Sequence, residues 1–417
     1  MALLYDFLFI LFSLLYVPYL LLKRKWHKDF GTRFGFLSAQ KLGLVGKKRI
    51  WIHAVSVGEV MVVSNLLKKM RTRYSDHQIV ISVVTQTGFE LAKTKLEGDE
   101  RVIYAPLDLS FAVRQYLDLL QPSIYLNAET EIWPNLLTEL HKRSIPIVQV
   151  NGRISDKALK GYKFLKCLLR PVLACVDCFC MQSESDASRI KELGALEEKV
   201  FVVGNMKFDD VVGESRHELS HAMLRDSNMV LVAGSTHPGE EEILLDIVCA
   251  LKAQISPLVL VLAPRHPDRA GEIMSLCERK GFSAVKFSQV SKAFVAPAVV
   301  VVDTIGHLRS FYALADVVFL GKSLTVQGGH NIIEPAYYGK PIVVGPFMQN
   351  FRDITKLFLD HDALVQVKDK VHLQEVIAKL FNDQGLRQKL GANAQAVIKA
   401  NKGATEKTFA LVSEIMG

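Results

Sequence analysis

From Arg49 onward the chain alternates short β-branched, apolar runs with amphipathic stretches of helical length, and this alternation leaves few folds open to it. A first series reads as strands at 50–55 (IWIHAV), 79–84 (IVISVV), 101–107 (RVIYAPL), 123–128 (SIYLNA), 145–150 (IPIVQV), 178–182 (CFCMQ) and 200–205 (VFVVGN). Segments such as Val60 to Tyr74 and Phe111 to Leu120 fill the gaps with helical periodicity. Strands alternating with helices of this length build βαβ units and a parallel sheet. A polar stretch, Asp209 to Ser227, interrupts the pattern. A second series follows at 229–234, 258–264, 284–287, 298–303, 316–320, 341–345 and 363–367, and from Lys370 the chain reads as helical, with a turn at 391–394 (GANA). A chain of 417 residues suits two such domains of about 150 to 200 residues each. The expected architecture is α/β, with two Rossmann-like, doubly wound domains: 49–208, a linker 209–227, and 228–417 including the C-terminal helices. Ligands of such sheets sit outside the C-terminal strand ends, so the reaction is expected in the cleft between two facing domains.

The segments after the strands are polar and carry glycine: SVGE, ETEIWPN, NGRIS, MKFD, STHPGEE, RHPDR and TIGHL. Glu, Arg, His and Lys thus gather where a parallel sheet presents its loops. The stretch Gly328 to Gly345, GGHNIIEPAYYGKPIVVG, reads as a loop, a short helix and a strand around a phosphate-sized gap. Its paired glycines admit a ligand close to the backbone, and a helix starting near Asn331 aims N–H groups into the gap. Asn331 with Glu334 also fits a helix cap and its reciprocal partner, a device compatible with ligand binding. Ser56-x-x-Glu59 before an apolar helix reads equally as a capping box or as the position of a proton acceptor. Glu129 and Glu131, two apart at a strand end, are expected on one face in extended geometry.

Charge is unevenly placed. Residues 1–49 hold nine Lys/Arg against Asp6 and Asp29, a net of +7 out of +8 for the chain. This argues against a nucleic-acid groove spread over the fold and for an anionic surface near the N-terminus. Residues 1–22 are apolar but for Asp6, and KRKWHK follows, so 1–22 is read as a membrane anchor and 23–48 as a basic juxtamembrane segment. A helix lying in the interface is the alternative, since Pro18 would kink a span. Six cysteines form no spaced framework, and Cys175, Cys178 and Cys180 lack a second ligand pair for zinc. A reducing, cytosolic compartment fits.

Together HAVSVGE, ETEIWPN, NGRIS, GNMKFD, AGSTHPGEE, PRHPDR and GGHNIIEP, with TRFG at 32–35, resemble the Kdo transferase family of GT-B glycosyltransferases over essentially the whole chain. That family moves 3-deoxy-D-manno-octulosonic acid (Kdo) from CMP-Kdo to a lipid A precursor (lipid IVA). The resemblance implies an inverting enzyme at the cytoplasmic face of the inner membrane, using no cofactor and no metal. It implies Glu59 as general base, Glu129 steadying positive charge at the anomeric carbon, and Lys207 facing the donor's negative charge. On the nucleotide side it implies Arg265 and His266, the loop Gly306, His307 and Leu308, the backbone of Asn331, Ile332 and Ile333, and Glu334 on the ribose. His307 departs from the family, which carries an acidic residue there in a GEL-like loop. Another GT-B envelope glycosyltransferase using a UDP-sugar is the nearest rival. A non-enzymatic two-domain binding protein is a more distant one, needing no proton acceptor and normally exported.

Overall fold

The computed structural model describes residues 5–7, 9–11, 30–36, 38–209, 229–255, 257–289 and 298–417. Most of the expected anchor 1–22, the basic residues Lys23, Arg24, Lys25 and Lys28, and nearly all of the expected linker 209–227 lie outside these residues. Among the described residues no helix is long and apolar enough to cross a membrane.

Among the described residues fourteen strands form two seven-stranded sheets, parallel throughout. The first contains β1 (Lys48–His53), β2 (His77–Val83), β3 (Arg101–Tyr104), β4 (Pro122–Ala128), β5 (Ile147–Gly152), β6 (Cys178–Met181) and β7 (Val200–Val202), in the order β3-β2-β1-β4-β5-β6-β7. The second contains β8 (Met229–Thr236), β9 (Leu258–Pro264), β10 (Ala284–Lys286), β11 (Val299–Val301), β12 (Val317–Leu320), β13 (Ile342–Val344) and β14 (Val365–Gln366), ordered β10-β11-β9-β8-β12-β13-β14. The expected strand at 363–367 shrinks to β14, a two-residue pairing with Val343 and Val344 at the sheet edge.

Central strands are apolar on both faces because helices cover both faces. In β1, alternate residues enter different clusters: Ile50 and Ile52 pack with Val63, Leu66 and Met70 of the helix Val57–Arg73, and Trp51 packs with Tyr116 and Tyr125. Each such fully buried side chain contributes roughly 1.5–3 kcal/mol. Trp51 keeps its polar atom satisfied, donating from Nε1 to Ser82 Oγ at 2.7 Å.

The chain divides into two compact units, residues 1–210 with 402–417, and residues 211–401. The last helix, Ala404–Met416, therefore belongs with the first sheet and not with the second domain as expected. Its Ala404 and Val412 are buried in the core cluster of the helix Val57–Arg73, with Phe409 and Ile415 packed against it. The GANA segment is not a turn but the middle of the helix Gln384–Asn401. Gly391 has no side chain because a Cβ there would collide with the Gly339 carbonyl oxygen. The turn comes later, at Gly403, whose φ is +91°.

The described N-terminus is tied to the first domain. Asp6 Oδ1 accepts from Asn135 Nδ2 at 2.7 Å and from the Ser110 amide at 3.1 Å, which gives the one acidic group of an apolar segment its partners.

Candidate functional site

The order of the first sheet reverses between β1 and β4, and loops diverging at such a point leave room for a ligand. Glu59 follows β1; Glu129 and Glu131 follow β4. Ser56 is the N-cap of the helix Val57–Arg73, and Glu59 sits in its first turn. The Glu59 carboxylate accepts from the Val55 amide (Oε2, 2.7 Å) and from the Ser56 hydroxyl (Oε1, 2.9 Å). The cap therefore exists, and it holds the carboxylate in place. Glu59 is only 6% exposed. Burial raises its pKa from 4.5 to about 7 against the two hydrogen bonds, and the charges of Glu129 and Glu131 add to the rise. A carboxylate poised near neutrality suits proton transfer.

Glu129 and Glu131 do not continue the strand as expected. β4 ends at Ala128, and Glu129 adopts φ +52°, so the two-residue alternation of extended backbone fails there. The Glu129 amide donates to the Val150 carbonyl and Gln149 Nε2 donates to the Glu129 carbonyl, which hold this turn against β5. Glu129 then pairs with Lys207, Oε1 to Nζ 3.2 Å. Glu131 instead accepts from Trp133 Nε1 at 2.9 Å. Burial raises its pKa against that bond, with Glu129 adding to the rise. The Trp133 ring stands edge-on to His53, 4.6 Å between centroids. His53 ends β1 fully buried, with Nδ1 2.8 Å from Ser82 Oγ, and burial first, then Arg33, pushes its pKa down to about 3. It is a neutral platform under the Trp133–Glu131 pair.

In the second domain the order reverses between β8 and β12. Arg265 and His266 follow β9, and both are exposed. The Arg265 amide donates to the Thr236 carbonyl at 3.0 Å, and His266 opens the short 3-10 turn Pro267–Arg269 without capping it. Gly306, with φ +96°, lets the loop turn before the helix Leu308–Leu314. His307 is the N-cap residue of that helix and packs 4.9 Å from the Phe287 ring. The imidazole against the aromatic ring is the contact that His307 makes here.

The short helix of the glycine-rich stretch starts later than expected. It spans Ile333–Tyr337, and its N-cap is Ile332. Asn331 Oδ1 accepts from the Ile333 amide at 3.0 Å, but Glu334 does not reach back; it pairs with Arg309 at 3.4 Å. The expected reciprocal cap is absent, and five residues make a weak dipole. Ile332 and Ile333 are buried, so only their backbone is available to a ligand. Gly328 and Gly329 take φ of +138° and +76°, which explains why glycines stand there.

Groups with no assigned role in the sequence reading complete this half. His237, after β8, and His330, after Gly329, stack with centroids 5.6 Å apart and Nε2 atoms 3.4 Å apart. Burial and then Arg265, His237 and Lys322 push the His330 pKa down to about 4; burial and then Lys322 and His266 lower that of His237. Glu240, fully buried, gathers the loops around them: its carboxylate accepts from the amides of His237 (2.9 Å), Lys322 (2.9 Å), Ser323 (3.1 Å) and Leu324 (3.0 Å). The result is a cationic and imidazole-lined cluster at the end of β8 and β12, suited to an anion. The signal was present in STHPGEE and GGH, motifs that flank the strands on either side of the switch point.

Two parallel sheets with polar loops at their C-terminal ends, and residues 283–397 matching the group 1 glycosyl transferases, define a GT-B glycosyltransferase. Residues 28–210 match the 3-deoxy-D-manno-octulosonic-acid transferases, and the chain belongs to this Kdo transferase family. A 3-deoxy-D-manno-octulosonic acid transferase of Rickettsia conorii is 30% identical over 374 residues, 89% of this chain and 80% of the relative. A bifunctional glycosyltransferase/methyltransferase of Fusobacterium nucleatum is 36% identical over 85% of this chain, which spans only 56% of that relative's length. The solved UDP-GlcNAc 2-epimerase of Neisseria meningitidis, bound to UDP-GlcNAc, shares the fold at 12% identity, with TM-score 0.57 over 88% of this chain and 99% of the epimerase.

Proposed function

We propose that this protein transfers Kdo from CMP-Kdo to a lipid A precursor in lipopolysaccharide synthesis, with inversion at the anomeric carbon. Family membership supports the donor and the pathway step. The observation that carries the mechanism is the Glu59 carboxylate, buried, held by Val55 and Ser56, and raised to about pKa 7. An acceptor hydroxyl attacks the anomeric carbon as the bond to the CMP phosphate oxygen breaks. The electron pair leaves with CMP, and the hydroxyl proton passes to Glu59. Glu129 steadies the positive charge at the sugar, and Lys207 faces the charge on the departing phosphate. Arg265 and His266 grip the nucleotide phosphate, the backbone of Gly306 to Leu308 and of Asn331 to Ile333 supplies donors, and Glu334 takes the ribose hydroxyls.

Leaving-group charge is handled by these cations without a metal. The first 22 residues hold the enzyme at the inner membrane, with both domains on the cytoplasmic side. Incubation with CMP-Kdo and a tetraacylated lipid A precursor, with mass spectrometry of the lipid, is expected to show added Kdo. The gain should persist after exhaustive EDTA treatment, and deletion of 1–22 should release much of the protein from membranes while leaving transfer in detergent largely intact. A product formed only from a UDP-sugar overturns the donor assignment.

A further inference from the structure

Beside the candidate site lies an exposed apolar and basic face that the proposed chemistry does not use. The helix Asp156–Phe164 begins just after β5, where the Arg153 amide donates to Thr130 Oγ1 at 3.2 Å, and Tyr162 of this helix feels the charge of Glu131. The chain breaks at Leu165 and continues as the helix Lys166–Leu173. At this junction Phe164 is 91% exposed, Leu165 42% and Leu168 55%. A surface that meets only water rarely shows it a whole phenyl ring beside two leucines. The stretch 156–170 also carries Lys157, Lys160, Lys163, Lys166 and Arg170, five cations against one carboxylate of its own, Asp156. Lys163 pairs with Glu192 at 2.7 Å and Arg189 with Asp156, whereas Lys157, Lys160, Lys166 and Arg170 have no ion pair among the described residues. Lys157, Lys160 and Phe164 recur at helical spacing on one side of their helix.

We infer that this face, Lys157 to Arg170, is a membrane-contact surface in its own right, seating Phe164, Leu165 and Leu168 in the interface of an anionic bilayer while the lysines meet lipid headgroups. Charge selects that occupant: apolar side chains ringed by unpaired lysines match a negatively charged lipid surface and repel a second copy of the same patch. The position fits as well. The helix Lys166–Leu173 packs on Pro134–Lys142, whose Asn135 also holds Asp6. One helix thus supports both this face and the N-terminal segment, whose Phe7, Ile10 and Leu11 are exposed. A lipid-borne acceptor lifted from such a surface would arrive at the C-terminal strand ends of the first sheet, where Glu131 follows β4.

Cys167 lies within the face and is exposed; Cys249 is exposed too, and Cys175, Cys178, Cys180 and Cys277 are buried. Full-length protein with Cys249→Ser and an environment-sensitive fluorophore on Cys167 is mixed with vesicles of phosphatidylethanolamine and phosphatidylglycerol carrying brominated acyl chains. The expected result is a blue shift with quenching by the bromolipid. Both should be lost in Phe164→Glu/Leu168→Glu and weakened in Lys157→Gln/Lys160→Gln/Lys166→Gln, the latter loss shrinking as salt is raised. Label that stays water-exposed on protein co-floating with the vesicles overturns the inference, because the face then points away from the bilayer. So does failure to bind these vesicles at all, or a shift that grows with protein concentration without lipid, which marks self-association. Transfer to detergent-dispersed acceptor by the same variants is read separately and stays unchanged, so this face can fail while the proposed chemistry stands.

Discussion

Lys207 Nζ stands 3.2 Å from Glu129 Oε1, joining the loop after β7 to the loop after β4 across 78 residues of sequence. The side chains are 30% and 25% exposed, so the pair is only partly shielded from water. Lys207→Met should therefore change stability by less than about 1 kcal/mol. Transfer should fall by on the order of 10²-fold, because a charge aimed at the reacting groups acts in the transition state and not in the resting fold. Thermal melts and single-turnover rates check the split; equal loss in both would make the pair a structural tie.

Glu59 has two roles that a single substitution separates. Glu59→Gln keeps an acceptor oxygen for the cap but cannot take a proton, so transfer should drop by at least ~10²-fold with CMP affinity retained. In the wild type, kcat/KM should rise with pH and level off above about 7, as Glu59 ionises.

The same carboxylate predicts how stability responds to pH. Its folded pKa, about 7, lies above the ordinary 4.5. The stabilisation is therefore fully present below 4.5 and is lost as pH rises through about 7, on the order of 3 kcal/mol for a shift of this size. Relative to wild type, Glu59→Gln should gain roughly 5–10 °C in melting temperature between pH 5 and pH 8, from about 2.5 kcal/mol at ~2–4 °C per kcal/mol for a domain of this size. A pH-independent difference would show that Glu59 is ionised throughout.

On the donor side, Arg265→Ala should weaken CMP binding by roughly 10- to 100-fold, the range for losing a hydrogen bond to a charged group. His330 faces Arg265, His237 and Lys322, which together with burial hold its pKa near 4. A bound phosphate or carboxylate offsets those positive neighbours and lifts that pKa. Binding should then take up a proton and tighten as pH falls toward about 4, the pKa of the unliganded imidazole. Calorimetry in buffers of different ionisation heat checks this; zero proton uptake would place the anion elsewhere.

Asp209 Oδ1 and Oδ2 accept from the amides of Gly403 and Thr405 at 2.7 and 2.6 Å, capping the last helix from the end of the first domain. Asp209→Ala should cost about 1–2 kcal/mol. Hydrogen exchange should rise first in Ala404–Met416, ahead of the helix Gln384–Asn401.

The strands and the loops that bear the site could be read from residues alone. A parallel sheet covered on both faces needs apolar runs, as in β9, which is buried along its whole length from Leu258 to Pro264. Its loops must collect the polar groups that those runs exclude. Glu59, Glu129, Lys207, Arg265 and the Gly328–Gly329 pair stood out as candidates because each lies in a loop or helix start that follows such a run. Local spacing carries no information about partners brought together by strand order. Glu240 looked like one more acid in a helix start, yet it binds four amides from two loops, three of them on residues 82 to 84 positions further along the chain.

Tertiary structure decided the rest, because the deciding contacts join residues far apart in the chain. The turn at Glu129 is held by β5, and it sends one carboxylate to Lys207 and leaves Glu131 to Trp133. The last helix reads as a continuation of the second domain, but Asp209 and the core around Val412 draw it to the first. A pKa near 7 for Glu59 follows from burial and from two carboxylates on another loop, and neither is written in Ser56-x-x-Glu59 itself. Periodicity and turn chemistry are local and survive in a single sequence; desolvation and charge coupling arise only once the sheets are assembled.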